Sequence, residues 1–229
     1  MDDLDGAGYA IAELVLTDQQ CEHMAAALPA VAGGRAGVRN LVSHPTVLRL
    51  LSHAALGKFL QGLVGRELVA VNATLFDKTP ESNWRAQWHQ DRVIAVKERL
   101  QVAGYGPWSS KRGALHVEPP AEVLAQMLVV RVHLDASGAG NGPLRVIPGS
   151  HLEGKISEAE LPAFVEAADS ISELYLPQGG ILLMRPLLVH SSSVARDVGH
   201  RRVLHLEFAP VESISPLQWQ ASVPLWRAA

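Results

Sequence analysis

From Glu67 to Pro210 the chain breaks into short segments rich in β-branched residues, and this texture limits the available folds more than any other feature. The segments are LVAVNATLF (68–76), RVIAVKERL (92–100), AQMLVVRVHL (125–134), PLRVIPG (143–149), ELYLP (173–177), GILLMRP (180–186), LLVHSSSV (187–194) and RRVLHLEFAP (201–210). Runs of this length, with turn residues between several of them, predict strands. Ahead of them the pattern is helical. Thr17-Asp18-Gln19-Gln20 reads as a capping box opening a helix that Pro29 stops. His44-Pro45-Thr46 begins a second helical region, with Val47, Leu50, Leu51, Leu56, Phe59, Leu60 and Leu63 at helical spacing and Gly65 at its end. A further helix is predicted over 157–168. Helices followed by a run of strands point to a mainly β (α+β) protein, an antiparallel sandwich or barrel with the helices packed outside.

No linker divides the chain, so residues 1–229 read as one domain. Its parts are an N-terminal helical cover (1–66), a strand-rich core (67–210) and a C-terminal tail (211–229). Within the core, residues 101–124 are rich in Gly and Pro and read as a lid-like insert between strands. Tyr105 and Trp108 are too apolar to leave wholly in water.

Hydrophobic residues make up 48% of the chain and charged ones 19%, which is enough apolar surface for a core. A net charge of −3 offers no footprint for nucleic acid. No stretch approaches the ~20 apolar residues of a membrane span; Arg131 and Arg185 interrupt the two most apolar runs. The opening MDDLDGAGYA lacks the charged-then-apolar order of a secretory leader. Cys21, the one cysteine, fits a reducing compartment as a buried, inert thiol. The expected location is cytoplasmic and the expected partner a small molecule.

Chemistry concentrates around NWRAQWHQDR (83–92). Strand alternation puts His89 and Asp91 on one face and Gln90 on the other, so an imidazole and a carboxylate can share a metal ion. The pair alone is weak evidence, because His133-Leu134-Asp135 repeats it. The apolar run LLMRPLLVH stops abruptly at His190, which offers a third ligand. Two histidines and one carboxylate form the facial set of non-haem iron, which leaves positions open for small ligands. Downstream, Arg201 and Arg202 offer a guanidinium fork for a carboxylate, and alternation lets only one of them face inward. Leu204, Leu206 and Phe208 share the face of Arg202; Val203, His205 and Glu207 share that of Arg201.

Four ordered motifs, DKTP (77–80), WHQD (88–91), LDASGAGNGPLRVIPGSH (134–151) and VHSSSVARDVGHRR (189–202), resemble the phytanoyl-CoA dioxygenase family of Fe(II)- and 2-oxoglutarate-dependent oxygenases. The resemblance implies a double-stranded β-helix core, jelly-roll or cupin-like, with Fe(II) on His89, Asp91 and His190. It makes His133 and Asp135 structural residues or outer supports of the site, not ligands. It selects Arg201, eleven residues after His190, to hold the distal carboxylate of 2-oxoglutarate. Ser192 matches a hydroxyl that assists there, and Lys78 and Gln90 fall where the co-substrate can be touched. Asn141, Gly142 and Pro148-Gly149-Ser150-His151 are architectural in this scheme.

By the same resemblance, dioxygen and 2-oxoglutarate are consumed, succinate and carbon dioxide are released, and a small molecule is hydroxylated. The retained Asp91 disfavours halogenation. Arg131, Trp108 and Arg112 are candidate substrate contacts; Arg131 could instead pair with Glu207. Trp84 and Arg85 flank the expected mouth. Trp88, Trp219 and Trp226 read as packing residues. Two other readings remain: a different metalloenzyme (isomerase or hydrolase) on a cupin-like barrel, which would need neither Arg201 nor 2-oxoglutarate, and a binding protein without turnover, against which the presence of all three ligands and the arginine argues.

Overall fold

Thr17 opens its helix as the sequence predicts: its Oγ1 accepts from Gln20 N at 3.3 Å, while Gln20 Oε1 accepts from Thr17 N at 2.9 Å. The computed structural model describes residues 2–12, 15–64, 67–111, 113–197 and 199–225. Its helices are α1 (Asp2–Gly6), α2 (Asp18–Ala27), α3 (Pro45–Leu51), α4 (Ala54–Val64), α5 (Ala121–Ala125) and α6 (Leu161–Glu166). The strands begin with β1 (Tyr9–Ala12), β2 (Gly37–Val38), β3 (Val69–Lys78), β4 (Ala86–His89), β5 (Ile94–Val96), β6 (Trp108–Lys111) and β7 (Ala114–Val117). They continue with β8 (Leu128–His133), β9 (Leu144–Val146), β10 (Ser172–Leu174), β11 (Ile181–Met184), β12 (His190–Ser192), β13 (Arg201–Ala209) and β14 (Val223–Pro224).

A large antiparallel sheet runs β1-β11-β8-β13-β3-β14, with β2 added beside β3. A smaller sheet runs β10-β9-β12-β4. The two are glued by inward residues of both, Val129, Leu182 and Met184 against Leu144, Val146 and Leu174. This is the jelly roll expected from the motifs. Strand alternation divides the labour on β13. Leu204, Leu206 and Phe208 face outward and pack with Cys21 of α2, Leu50 of α3 and Leu56 of α4. Arg201, His205 and Glu207 face the interior cavity instead.

Four sequence expectations change. Residues 92–100 are strand only over Ile94–Val96, because Lys97, Glu98 and Arg99 turn into solvent. Residues 101–124 are not an open loop: β6 and β7 form a hairpin, Gly113 takes a left-handed φ of +79° at its turn, and α5 follows. With β5 they make a third sheet whose apolar side, Ile94, Val96 and Val117, packs on Leu124, Met127 and Trp219. The helix expected over 157–168 covers only Leu161–Glu166, preceded by a turn in which Ser157 Oγ donates to Glu160 Oε2 at 2.6 Å. Finally, β1 pairs with β11 (Tyr9↔Met184) although its Ala-rich sequence gave no strand signal.

Among the described residues no helix is long and apolar enough to cross a membrane. Phe208 is fully buried, so Phe208→Ala is expected to cost about 3–5 kcal/mol. Leu152, 69% exposed, should change stability by less than ~0.5 kcal/mol when replaced by Ala. Urea unfolding of both variants checks this; equal midpoints would contradict the placement of β13 at the centre of the core.

Candidate metal centre and active site

Antiparallel pairing of β4 with β12 sets His89 directly opposite His190. Their rings lie 4.2 Å apart between centroids. Each ring is turned by its own backbone: Nδ1 of His89 donates to Gln87 O at 2.7 Å, and Nδ1 of His190 donates to Leu188 O at 2.8 Å. A carbonyl oxygen only accepts, so in the neutral form of either ring Nε2 carries the free lone pair. Asp91 follows two residues after His89, its backbone N–H bonded to Pro186 O at 2.9 Å. Its Oδ1 lies 3.9 Å from Nε2 of His89, and its Oδ2 lies 3.8 Å from Nε2 of His190.

One ligand atom from each of the three residues falls within 4.8 Å of the others. Such a cluster could hold a single metal ion. Asp91 Oδ2 is buried with no hydrogen-bond partner, as a ligand atom awaiting a cation would be. Burial opposes ionisation of Asp91, yet His190, His205, His89 and Arg131 around it hold its pKa below the usual carboxylate range. Burial, then the neighbouring His89, pushes His190 down to about 3, which keeps its lone pair available. The side chain of His89 is 44% exposed and that of His190 only 4%, so the centre opens to solvent on the His89 side.

The two arginines separate cleanly. Arg202 is held by Asp135 through a two-pronged bond, Nε to Oδ2 and Nη2 to Oδ1, both 2.7 Å. Arg201 is buried, lines the cavity, and its Nε has no partner. Burial, then the nearby Arg131, lowers Arg201 to about 9. Lys78 lies opposite Arg201 in register; its Nζ donates to Ser192 Oγ at 3.1 Å and to Ser193 O, and sits 5.2 Å from the Trp84 ring centroid. Burial, Arg201 and Arg131 lower Lys78 to about 7. Gly142 makes this approach possible: its φ is +69°, and a Cβ there would strike Ser193 O and stand 2.9 Å from Lys78 Nζ.

His89, Asp91, His190, Ser192 and Arg201 face one cavity of about 630 Å³, bounded by β3, β8, β13 and the β6–β7 hairpin. Arg131, Trp84 and Trp108 line it, as does His116 of the hairpin. Trp108 is braced by Arg99, whose Cζ lies 5.4 Å from its centroid. Arg131 does not pair with Glu207. Its Nη1 donates to His205 Nδ1 at 3.1 Å, while Glu207 Oε1 accepts from Asn72 Nδ2 at 2.8 Å.

Gln90 lines the cavity, with its side-chain amide committed to the backbone. Its amide donates to Gly154 O and Leu187 O at 2.8 and 2.7 Å and accepts from Ile156 N at 2.9 Å, so it ties two backbone segments together. Arg85 is exposed, and Trp88 packs on the opposite face of β4 under Arg145. Trp219 is core, donating to Val211 O at 3.2 Å. Asn141 bonds its own turn, and His151 Nε2 donates to Asp5 O at 3.2 Å. His133 is buried with both ring nitrogens unpartnered and a pKa well below the usual histidine value, from burial and then Arg131 and Arg201. Arg112 and Trp226 lie outside the described residues. Sequence reasoning placed His205 on the inner face without giving it a task, and overlooked Asn72 and Phe76; alternation along β3 was the signal for both.

Comparison with known proteins agrees with this architecture. AviO1 from Streptomyces viridochromogenes Tue57 is 20% identical, covers 98% of this chain and 95% of its own, and superposes with a TM-score of 0.65. The non-heme monooxygenase ThoJ, solved as a nickel complex, is 18% identical over 99% of this chain and 83% of its own, with a TM-score of 0.68. HygX from Streptomyces hygroscopicus, solved with nickel and 2-oxoglutarate, is 16% identical over 90% and 84%, with a TM-score of 0.63. At these identities the likeness speaks to the fold. Curated proteins yield no match. The profile described as Phytanoyl-CoA dioxygenase (PhyH) matches residues 4–203. With most of its length inside that match, the chain belongs to the phytanoyl-CoA dioxygenase family.

Proposed function

We propose that this protein is an Fe(II)- and 2-oxoglutarate-dependent dioxygenase that hydroxylates a small molecule in the cytoplasm. The observation that carries the reading is the meeting of His89, Asp91 and His190 in a cavity that also holds Arg201, a buried guanidinium with an unpartnered Nε. The donor set fits ferrous iron: two imidazole Nε2 atoms and one carboxylate, with the open side facing the cavity. The cationic end fits a dicarboxylate, since Arg131 and Arg201 are buried cations with no ion-paired acid among the described residues. Such burial is costly unless an anion joins them. The cavity volume lies within the range of small-molecule sites.

Each residue's part follows from its position. Arg201 would grip the distal carboxylate of 2-oxoglutarate with its planar fork, with Ser192 beside it. Lys78 secures Ser192 and Ser193, fixing the floor of the co-substrate site. When bound, ferrous iron with 2-oxoglutarate and dioxygen supplies an oxidant able to attack an unactivated C–H bond, and succinate and carbon dioxide leave. The protein contributes orientation and a dry pocket: Trp84 and Trp108 wall the substrate side and limit access of water. Asp91 keeps the carboxylate position filled, which favours hydroxylation over halogenation. HygX and the epimerase SnoN, both crystallised with the co-substrate, give independent precedent for this fold holding it. The single buried thiol, Cys21, suits a reducing compartment.

Purified protein with Fe(II), ascorbate and 2-oxoglutarate under air should form succinate slowly without added substrate, and Asp91→Ala or His190→Ala should abolish this. Wild-type protein that makes no succinate and binds no 2-oxoglutarate would overturn the assignment. Arg201→Ala should raise the 2-oxoglutarate concentration for half-maximal turnover by roughly 100-fold, the ~3 kcal/mol of a lost buried charge contact. Arg202→Ala should instead lower thermal stability by breaking the Asp135 fork; a 2-oxoglutarate defect in that variant and not in Arg201→Ala would reverse the roles.

A further inference from the structure

We propose that Arg131 and His205 form a positioning pair that holds the Asp91 carboxylate in its metal-binding orientation. The inference rests on the His89, Asp91 and His190 centre proposed above. Arg131 Nη1 lies 3.1 Å from His205 Nδ1. A guanidinium has only donors, so the bond makes Nδ1 the acceptor and assigns the ring hydrogen to Nε2. That Nε2–H faces two carboxylates, Asp91 Oδ2 at 3.9 Å and Glu207 Oε1 at 3.7 Å. Glu207 Oε1 is already served by Asn72 at 2.8 Å. Asp91 Oδ2 is buried and has no partner.

The other side chain beside Oδ2 is His190, and it has no hydrogen to give there. Its Nδ1–H is directed to Leu188 O, and its Nε2 presents a lone pair. Of the two imidazoles within 4 Å of Oδ2, His205 is therefore the one that can donate to it. A carboxylate rotation that closes the gap by about 1 Å completes an ordinary hydrogen bond.

The pair is held stiffly. His205 faces Arg131 of β8 and Thr74 of β3 in register, so it sits in the middle of the large sheet and not on a loop. Phe76 touches both partners: its ring meets His205 edge-on at 5.7 Å and 87°, and lies 5.9 Å from Arg131 Cζ. Arg131 thus fixes the tautomer of His205, and His205 orients the Asp91 carboxylate through Oδ2. This gives Arg131 a task other than binding a substrate anion. Outer partners of ligand side chains commonly change metal affinity by about 10–100-fold.

The test is titration of the full-length protein with Co(II) alone, following both heat and the visible absorption of the bound ion. His205→Phe should weaken Co(II) binding about 10–100-fold and alter the absorption band shape. His205→Gln should recover most of the affinity, because its amide can donate to Asp91 while its carbonyl accepts from Arg131. Arg131→Met leaves His205 in place but frees its tautomer, and should weaken binding several-fold. Equal losses in the Phe and Gln variants with an unchanged band would mean a merely structural role and overturn the inference, as would wild-type affinity in His205→Phe. Should His205→Phe fail to fold, Arg131→Met and His205→Gln decide: wild-type affinity in Arg131→Met, or loss in His205→Gln as large as 10-fold, rejects the pair. Wild-type protein that binds no Co(II) refutes the metal centre itself, a result distinct from any of these.

Discussion

The antiparallel register of β4 on β12 is the constraint on which the site depends. It sets His89 across from His190, so two imidazoles distant in sequence share one spot without any loop to position them. The ladder shifts its register between His190 and Ser192, and this irregularity lies where the strand must serve both the metal centre and the co-substrate end. Backbone carbonyls at Gln87 and Leu188 then aim both rings, each accepting from the Nδ1 of a histidine two residues on. The same local device is used twice, and it leaves the two Nε2 atoms converging.

The rest of the barrel is organised around that point. One half of the interior is apolar, with Val129, Leu144, Val146, Leu182 and Met184 joining the sheets. The other half is polar, with Arg131 and Arg201 among its lining. Strand β13 acts as a ruler across it: Arg201 at the end proposed for the co-substrate, His205 beside Asp91, and Glu207 farther along with Asn72. The opposite face of this strand carries the core that fastens the N-terminal helices. Hydrophobic burial on the outer side thus holds in place a row of polar side chains that would be unfavourable to bury alone.

Much of this was readable from the residues, and for identifiable reasons. The strand segments showed because β-branched runs between turn residues are a local signal. The His-x-Asp pair and His190 showed because strand alternation and an abrupt end to an apolar run are local too. The choice between the two arginines is local only in part: alternation separates them, but the Asp135 fork that engages Arg202 is a tertiary contact. The hairpin in 101–124 stayed hidden because Gly and Pro dominate its flanks, and β1 because four residues with two alanines carry little periodicity. Gln90 illustrates a different limit. Its place in a family motif suggested co-substrate contact, and its amide is engaged by three backbone groups brought together only by the fold. His205 had only its parity on β13 to recommend it; its relation to Arg131 and Asp91 exists only once β8, β13 and β4 are assembled.

The central claim is that one ferrous ion is shared by three particular side chains. It is tested most directly by diffraction at the iron absorption edge from crystals grown anaerobically with Fe(II) and 2-oxoglutarate. The account expects one anomalous peak, about 2.0–2.2 Å from Nε2 of His89, Nε2 of His190 and one carboxylate oxygen of Asp91. A peak bound elsewhere, or one that leaves any of these three atoms out of bonding distance, would contradict it.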